Sequence, residues 1–174
     1  MAIKKTSSLD KYANVAAIDL TESAANTLTT SKFAFPFSIM DKMGILISRV
    51  EYELSNLSSV LAASADQIIA GLVAGTAPDM TNPADPLVID TYKTTRLDLG
   101  AAATGVVVQQ PFIKDFSTLP GGGILVAPNP LYVAILGVSA GAAGRVKVRL
   151  FYTYFEMSTD EYWQLVESRR IISS

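Results

Sequence analysis

Glu51 and Glu53 stand two residues apart, so an extended chain carries both carboxylates on one face. Two carboxyl groups flanking a sugar can run glycoside hydrolysis, one as acid and the other as base or nucleophile. Asp115 is a third carboxylate that a hydrolase would use. Arg49 joins the face of Glu51 and Glu53, however, and a salt-bridged strand face accounts for the same residues. The chain has no His and no Cys. The first absence removes the usual general base at neutral pH and the commonest metal ligand. The second removes disulfides and thiolate metal sites. A Ser–His–Asp triad is excluded, and only a Ser–Lys variant stays open. The expectation is a protein that is not an enzyme and needs no cofactor.

Three other patterns bear on ligands. Asp79, Asn82, Asp85 and Asp90 offer oxygen atoms to a hard cation. Their spacing is not that of an EF-hand, so a solvated loop is the reading, with a calcium site shared between subunits left open for Asp79 and Asp85. Leu119-Pro120-Gly121-Gly122-Gly123-Ile124 resembles a phosphate loop only in its glycines. It lacks the following Lys-Ser/Thr and precedes a strand, so it reads as a tight turn. Arg145, Lys147 and Arg149 alternate along one strand face with Phe151 and Phe155 further on, a mixture that meets phosphates and bases or is covered by a neighbouring subunit. Lys4 and Lys5 form a second basic pair. A net charge of −2 favours the neighbour, because counterion-release binding to nucleic acid calls for a basic surface.

The elements that carry these residues are mostly short strands. Phe33, Phe35 and Phe37 alternate with Ala34, Pro36 and Ser38, a period of two that predicts a strand ending near Pro36. Ile45 to Leu54 predicts a long strand. Its faces are Leu46, Ser48, Val50, Tyr52 and Leu54 on one side, and Ile47, Arg49, Glu51 and Glu53 on the other. Residues 55–65 read as a loop with a turn of helix. Strands follow at 67–73, 87–99, 106–110, 124–126 and 131–138, separated by Gly- and Pro-rich turns. Residues 74–86 form the longest loop. The clearest strand is 145–157, with Val146, Val148, Leu150, Tyr152 and Tyr154 on one face. A helix over 159–170 is signalled by Ser158 as N-cap with Glu161 three residues later, a capping box.

The chain has 174 residues, 49% of them hydrophobic, which matches one domain with a sizeable core. Mean hydropathy is +0.32, yet no apolar run approaches the ~18 residues of a membrane helix. The excess points to surfaces buried in an interface as well as in the core. Residues 1–31 are rich in Ser, Thr, Ala, Asn and Lys and read as an N-terminal arm ordered by docking. The opening Met1-Ala2-Ile3-Lys4-Lys5 is followed by no apolar stretch and does not read as a signal peptide. Residues 32–174 then form one domain, all-β with a short C-terminal helix. Eight strands in two sheets is the jelly-roll count.

Three stretches, with the C-terminal helix, carry a family resemblance. They are Met43 to Leu54, Phe112 to Phe116 with Leu119 to Gly123, and Arg145 to Glu156; the helix contributes Asp160 to Glu167 with Arg169-Arg170. Together they resemble the single jelly-roll coat protein of a small tailless icosahedral virus, of a kind infecting prokaryotes. The resemblance implies an eight-stranded jelly-roll sandwich with an extended N-terminal arm that knits neighbours. It also implies closed-shell assembly of many copies in the virion, assembled in the host cytoplasm, with minor virion proteins as further partners. The arm departs from many such proteins, since Lys4, Lys5, Lys11 and Lys32 stand against Asp10, Asp19 and Glu22. Nucleic-acid contact is therefore expected to be weak or indirect. Interface contacts are expected at Val15, Ile18 and Leu20 in the arm and at Tyr162, Trp163 and Val166 in the helix. The rival reading is a carbohydrate- or receptor-binding jelly-roll module, with the 74–86 loop as its site.

Overall fold

A computed structural model describes residues 14–36, 43–63, 65–96, 111–127 and 131–172. Nine strands occur among them: β1 (Asn14–Thr21), β2 (Thr29–Lys32), β3 (Met43–Ser55), β4 (Gln67–Val73), β5 (Val88–Thr95), β6 (Phe112–Asp115), β7 (Ile124–Val126), β8 (Tyr132–Val138) and β9 (Arg145–Glu156). Two helices join them, α1 (Leu57–Val60) and α2 (Thr159–Ile172). The all-β expectation holds. The strands form two antiparallel sheets, in the orders β1-β9-β3-β6 and β2-β8-β4-β5, with β7 also on β3.

The pairing is nested. β1 pairs with β9, β2 with β8, β3 with β6 and β7, and β4 with β5. The chain thus runs out and back as one long ribbon, and the β3·β9 and β4·β8 pairings fold that ribbon into two layers. Between the layers lie Ile47, Val50 and Tyr52 of β3, Leu72 of β4, Ile135 of β8 and Leu150 of β9. Fully burying each aliphatic side chain of this size stabilises by about 1.5–3 kcal/mol. Leu57 and Val60 of α1 join the same core.

β9 follows its predicted alternation: Val146, Val148 and Leu150 are buried, while Arg145, Lys147 and Arg149 are exposed. β3 does not. Its ladder with β9 shifts register between Ile47 and Arg49, a bulge at Ser48 that reverses the parity of everything before it. Ile45 and Ile47 therefore face the core with Val50, Tyr52 and Leu54, and Leu46 lies outside that cluster. The Ser48 hydroxyl donates to the Phe151 carbonyl at 3.3 Å, and the Ser48 carbonyl accepts from the Phe116 N–H at 2.7 Å. The bulge also divides the far side of β3, with β7 on Ile45–Ile47 and β6 on Arg49–Tyr52. Gly123 makes this possible, because a Cβ there would lie 2.3 Å from the Ile47 carbonyl oxygen.

Other expectations need correction. The strand predicted over Phe33–Phe37 lies earlier, at Thr29–Lys32, and Phe37 is outside the described residues. Phe33 is buried for a different reason: it stacks on Phe35, which meets Tyr152 edge-on at 5.4 Å. β6 was not expected, and the strand predicted at 106–110 is outside the described residues. Of the segment 1–31 read as an arm, residues 14–21 form β1 and residues 29–31 the start of β2, both paired inside this chain. The long strand β9 needs a partner on its second side, and β1 supplies eight uninterrupted pairs.

α2 begins as its capping box predicts. The Glu161 N–H donates to Ser158 Oγ at 3.3 Å, and the Ser158 N–H donates to Glu161 Oε2 at 3.1 Å. These bonds from Ser158 hold the Glu161 carboxyl below its ordinary range.

Candidate assembly surfaces

The outward face of the first sheet carries the charged residues that the sequence brought forward. Cross-strand register sets Lys147 between Asp19 and Glu53 and Arg149 opposite Glu51, while Arg145, opposite Thr21, reaches Asp19 on the diagonal. Arg145 grips Asp19 with both ends of its fork, Nε to Oδ1 at 2.7 Å and Nη2 to Oδ2. That bond holds the Asp19 carboxyl below its ordinary value and lifts the guanidinium above its own. Lys147 lies 3.5 Å from Glu53, and Arg149 lies 3.8 Å from Glu51. Arg49 bonds Glu51 and lies 5.0 Å over the ring of Phe151. Asp115, opposite Arg49, is held low first by hydrogen bonds from Ser117 and then by the Arg49 charge.

Four cations thus meet four carboxylates on this face. Exposed pairs of this kind are worth about 0.2–1 kcal/mol each. Their larger effect is neutrality, since the basic row of β9 offers no net positive stripe to phosphates. Of the hydrolase candidates, Glu51 and Glu53 belong to this ion-pair lattice, and Asp115 accepts from the Ser117 N–H beside the Arg49 charge. Asp115, held low, is also ill-suited to act as a general acid, which needs a raised pKa.

The outward face of the second sheet is apolar. Ile69, Val73 and Ala134 are buried there together with Met80 from the long loop after β4. Tyr132, Leu136 and Val138 of β8 and Val88 of β5 pack around them. Gly71 leaves room for the loop, because a Cβ there would come within 3.0 Å of Met80 Cε. The loop is shaped by its own carboxylates. Asp85 Oδ2 accepts from the Asp79 N–H at 2.6 Å, and Asp85 Oδ1 accepts from the Leu87 N–H at 2.7 Å. Asp79 Oδ1 caps Thr81, through its N–H at 3.0 Å and its hydroxyl at 2.7 Å. Asn82 Oδ1 accepts from the Ala84 N–H at 3.0 Å. The oxygens considered for calcium thus bind the loop's own backbone. Asp90 is drawn elsewhere, and among the described residues no group of three His, Cys, Asp or Glu could hold a metal ion.

Two polar clusters join the sheets. At the β5–β6 side, Asp90 accepts from the Tyr52 hydroxyl at 2.8 Å and from Lys114 Nζ at 2.5 Å, while Lys114 also bonds the Thr91 carbonyl. Tyr92 and Phe112 stack beside them at 4.4 Å and 8°. Burial and then the Asp90 charge push the Tyr52 phenol well above its ordinary value. At the opposite side, Glu22 is 4% exposed. Its Oε1 accepts from the Gly137 N–H at 2.5 Å and its Oε2 from the Gly144 N–H at 2.6 Å. Asn26 adds a two-way bond to Ala140, donating at 3.0 Å and accepting at 2.7 Å. The β1–β2 turn is thereby locked onto the β8–β9 turn. Sequence reasoning missed Glu22; its only signal was a lone acid in a Ser/Thr/Ala stretch with two glycines bracketing a distant small-residue turn.

The expected interface residues divide. Val15 is 55% exposed and Trp163 is 51% exposed. Ile18 packs against the core, Leu20 belongs to it, and Tyr162 is buried. The Val166 side chain, like Lys4 and Lys5, lies outside the described residues. No helix among the described residues is long and apolar enough to cross a membrane.

No protein-family model matches the chain, and no curated protein matches it. Among solved structures that match is one described as the structure of tomato aspermy virus by X-ray crystallography. It shares 11% identity and a TM-score of 0.42, over 91% of this chain and 84% of that one. A likeness at that level carries no argument about function.

Proposed function

We propose that this chain is a non-catalytic coat protein that self-assembles into an icosahedral shell, within a virion of a small tailless virus of a prokaryotic host. The observation that carries the reading is the nested strand order. β6 and β7 share one lane on β3, so the nine strands occupy eight lanes in two four-lane sheets. The chain changes sheet at every connection except β4 to β5 and β6 to β7. A ribbon rolled in this way supports the jelly-roll reading, an architecture used by viral capsid and lectin domains. Fold alone does not choose between these uses. The coat reading is favoured because the carboxylates considered for catalysis or calcium are engaged in ion pairs and turn caps. The lectin reading loses its loop site for the same reason. The neutral outer face of the first sheet supports a weak or indirect contact with genome.

The test is direct. The expressed full chain is imaged by electron microscopy and sized by sedimentation over a range of salt and concentration. Closed particles of uniform size are expected. A chain that stays monomeric across the whole range sinks the proposal.

A further inference from the structure

A sandwich has four open sheet edges, and three of them here are guarded. β2 has four residues and ends on exposed Lys32. β5 carries a register irregularity beside Val88 and presents exposed Lys93. β6 and β7 have four and three residues and begin after Pro111 and three glycines respectively. Short strands, lysines, bulges and prolines are the devices that discourage strand addition. β1 has none of them. It runs eight residues without a bulge, Pro or Gly, and its one charge, Asp19, is neutralised by Arg145. No described strand pairs with its other side.

The backbone groups on that free side can be identified. The Glu22 N–H donates to the Gly144 carbonyl at 2.9 Å, continuing the ladder past Thr21–Arg145. Backbone direction alternates along a strand, so even-numbered residues of β1 bond β9. Val15, Ala17, Asp19 and Thr21 then direct their N–H and C=O groups to the open edge.

We propose that β1 is a strand-addition edge, and that its occupant is β1 of a second copy, antiparallel about a two-fold axis that sets Ala17 opposite Ala17, so that two first sheets become one continuous sheet. The inference rests on the self-assembly reading above. A two-fold antiparallel pair is self-complementary, because the outward residues of one strand meet the outward residues of the other. Ala16, Ile18 and Leu20 then continue the apolar stripe across the junction, and exposed Val15 is covered. With Asp19 already neutralised, two copies meet without like-charge repulsion, whereas a charged foreign peptide would find nothing to attract it.

Two variants of the full chain test this. Ala17→Pro deletes an N–H on the open edge while leaving every bond to β9, a position where an edge strand accepts Pro. It is expected to keep the wild-type melting profile and to weaken self-association at least about 10-fold, since two-fold symmetry doubles the lost bond. Ala17→Cys introduces the chain's single thiol. Facing Cα atoms in a hydrogen-bonded antiparallel pair lie about 5.5 Å apart, within disulfide reach. Oxidation, or a short bis-maleimide, is expected to yield a covalent dimer well above that from Ser58→Cys on α1. Assembly of wild type with no excess cross-link at position 17 overturns the inference and leaves the coat reading standing. So does an Ala17→Pro chain that associates like wild type. Wild type that never associates overturns both. Should Ala17→Pro fail to fold, the cross-link yield decides.

Discussion

The two sheets of this sandwich solve the same problem with opposite chemistry. The first turns an ion-pair lattice outward, with Asp19–Arg145, Glu53–Lys147 and Glu51–Arg149 matched across strands. The second turns Ile69, Val73 and Ala134 outward and covers them with Met80 of its own loop. On the charged face Asp19 and Glu53 stand largely in water, where their pairs cost little and gain little. The apolar face is in effect a second small core, and of the two outer faces it contributes the more to stability. The contrast teaches that the conspicuous row of Arg and Lys is energetically minor, and that the unremarkable loop over β4 is not.

The largest break in this comparison is expected from Ile69→Asp. It buries an unpaired carboxylate under the loop, and a loss of about 4 kcal/mol or more in chemical denaturation is expected. Glu22→Gln comes next. The amide nitrogen would face a glycine N–H, donor against donor, and about 2–4 kcal/mol should be lost. A midpoint unchanged in urea would mean that the seam between the β1–β2 and β8–β9 turns carries no energy. Met80→Ala should cost about 2–3 kcal/mol by leaving a cavity beside Gly71. Calorimetry on this variant isolates the loop from the rest of the second sheet.

Tyr52→Phe should cost about 1–2 kcal/mol, since Asp90 keeps Lys114 as partner. It also bears on pH. The folded Tyr52 phenol ionises well above its ordinary 10.0, so the folded protein holds a proton that the unfolded chain has released. Its stabilisation is whole below pH 10.0 and declines as pH rises toward the folded value. The alkaline fall in stability should be shallower in Tyr52→Phe than in wild type. The smallest effect is expected on the charged face. A double-mutant cycle of Glu53→Ala and Lys147→Ala should give a coupling below about 1 kcal/mol that shrinks with salt. A larger, salt-resistant coupling would erase the contrast between the sheets.

Much of this was legible along the chain. The alternation of β9 and the box at Ser158 and Glu161 are local patterns, and the structure keeps both. The second half of β3 reads correctly for the same reason. Its first half does not, because one inserted residue at Ser48 exchanges the two faces and leaves no mark on composition. Residues 14–21 read as an arm because Ala, Asn and Thr make a poor strand by themselves. β9, more than 120 positions away, supplies the partner that makes them one.

Residue types and their short-range order determined the all-β class, the capped helix, the absence of His and Cys chemistry, and the near-neutral charge. Those properties depend on neighbours within a few positions. Only the tertiary structure decided which carboxylate meets which cation, that Glu22 is buried between two distant glycines, and that β1 is left as the unguarded edge. Strand pairing brings residues from opposite ends of the chain within hydrogen-bonding distance. No local pattern encodes which edges remain once that pairing is complete.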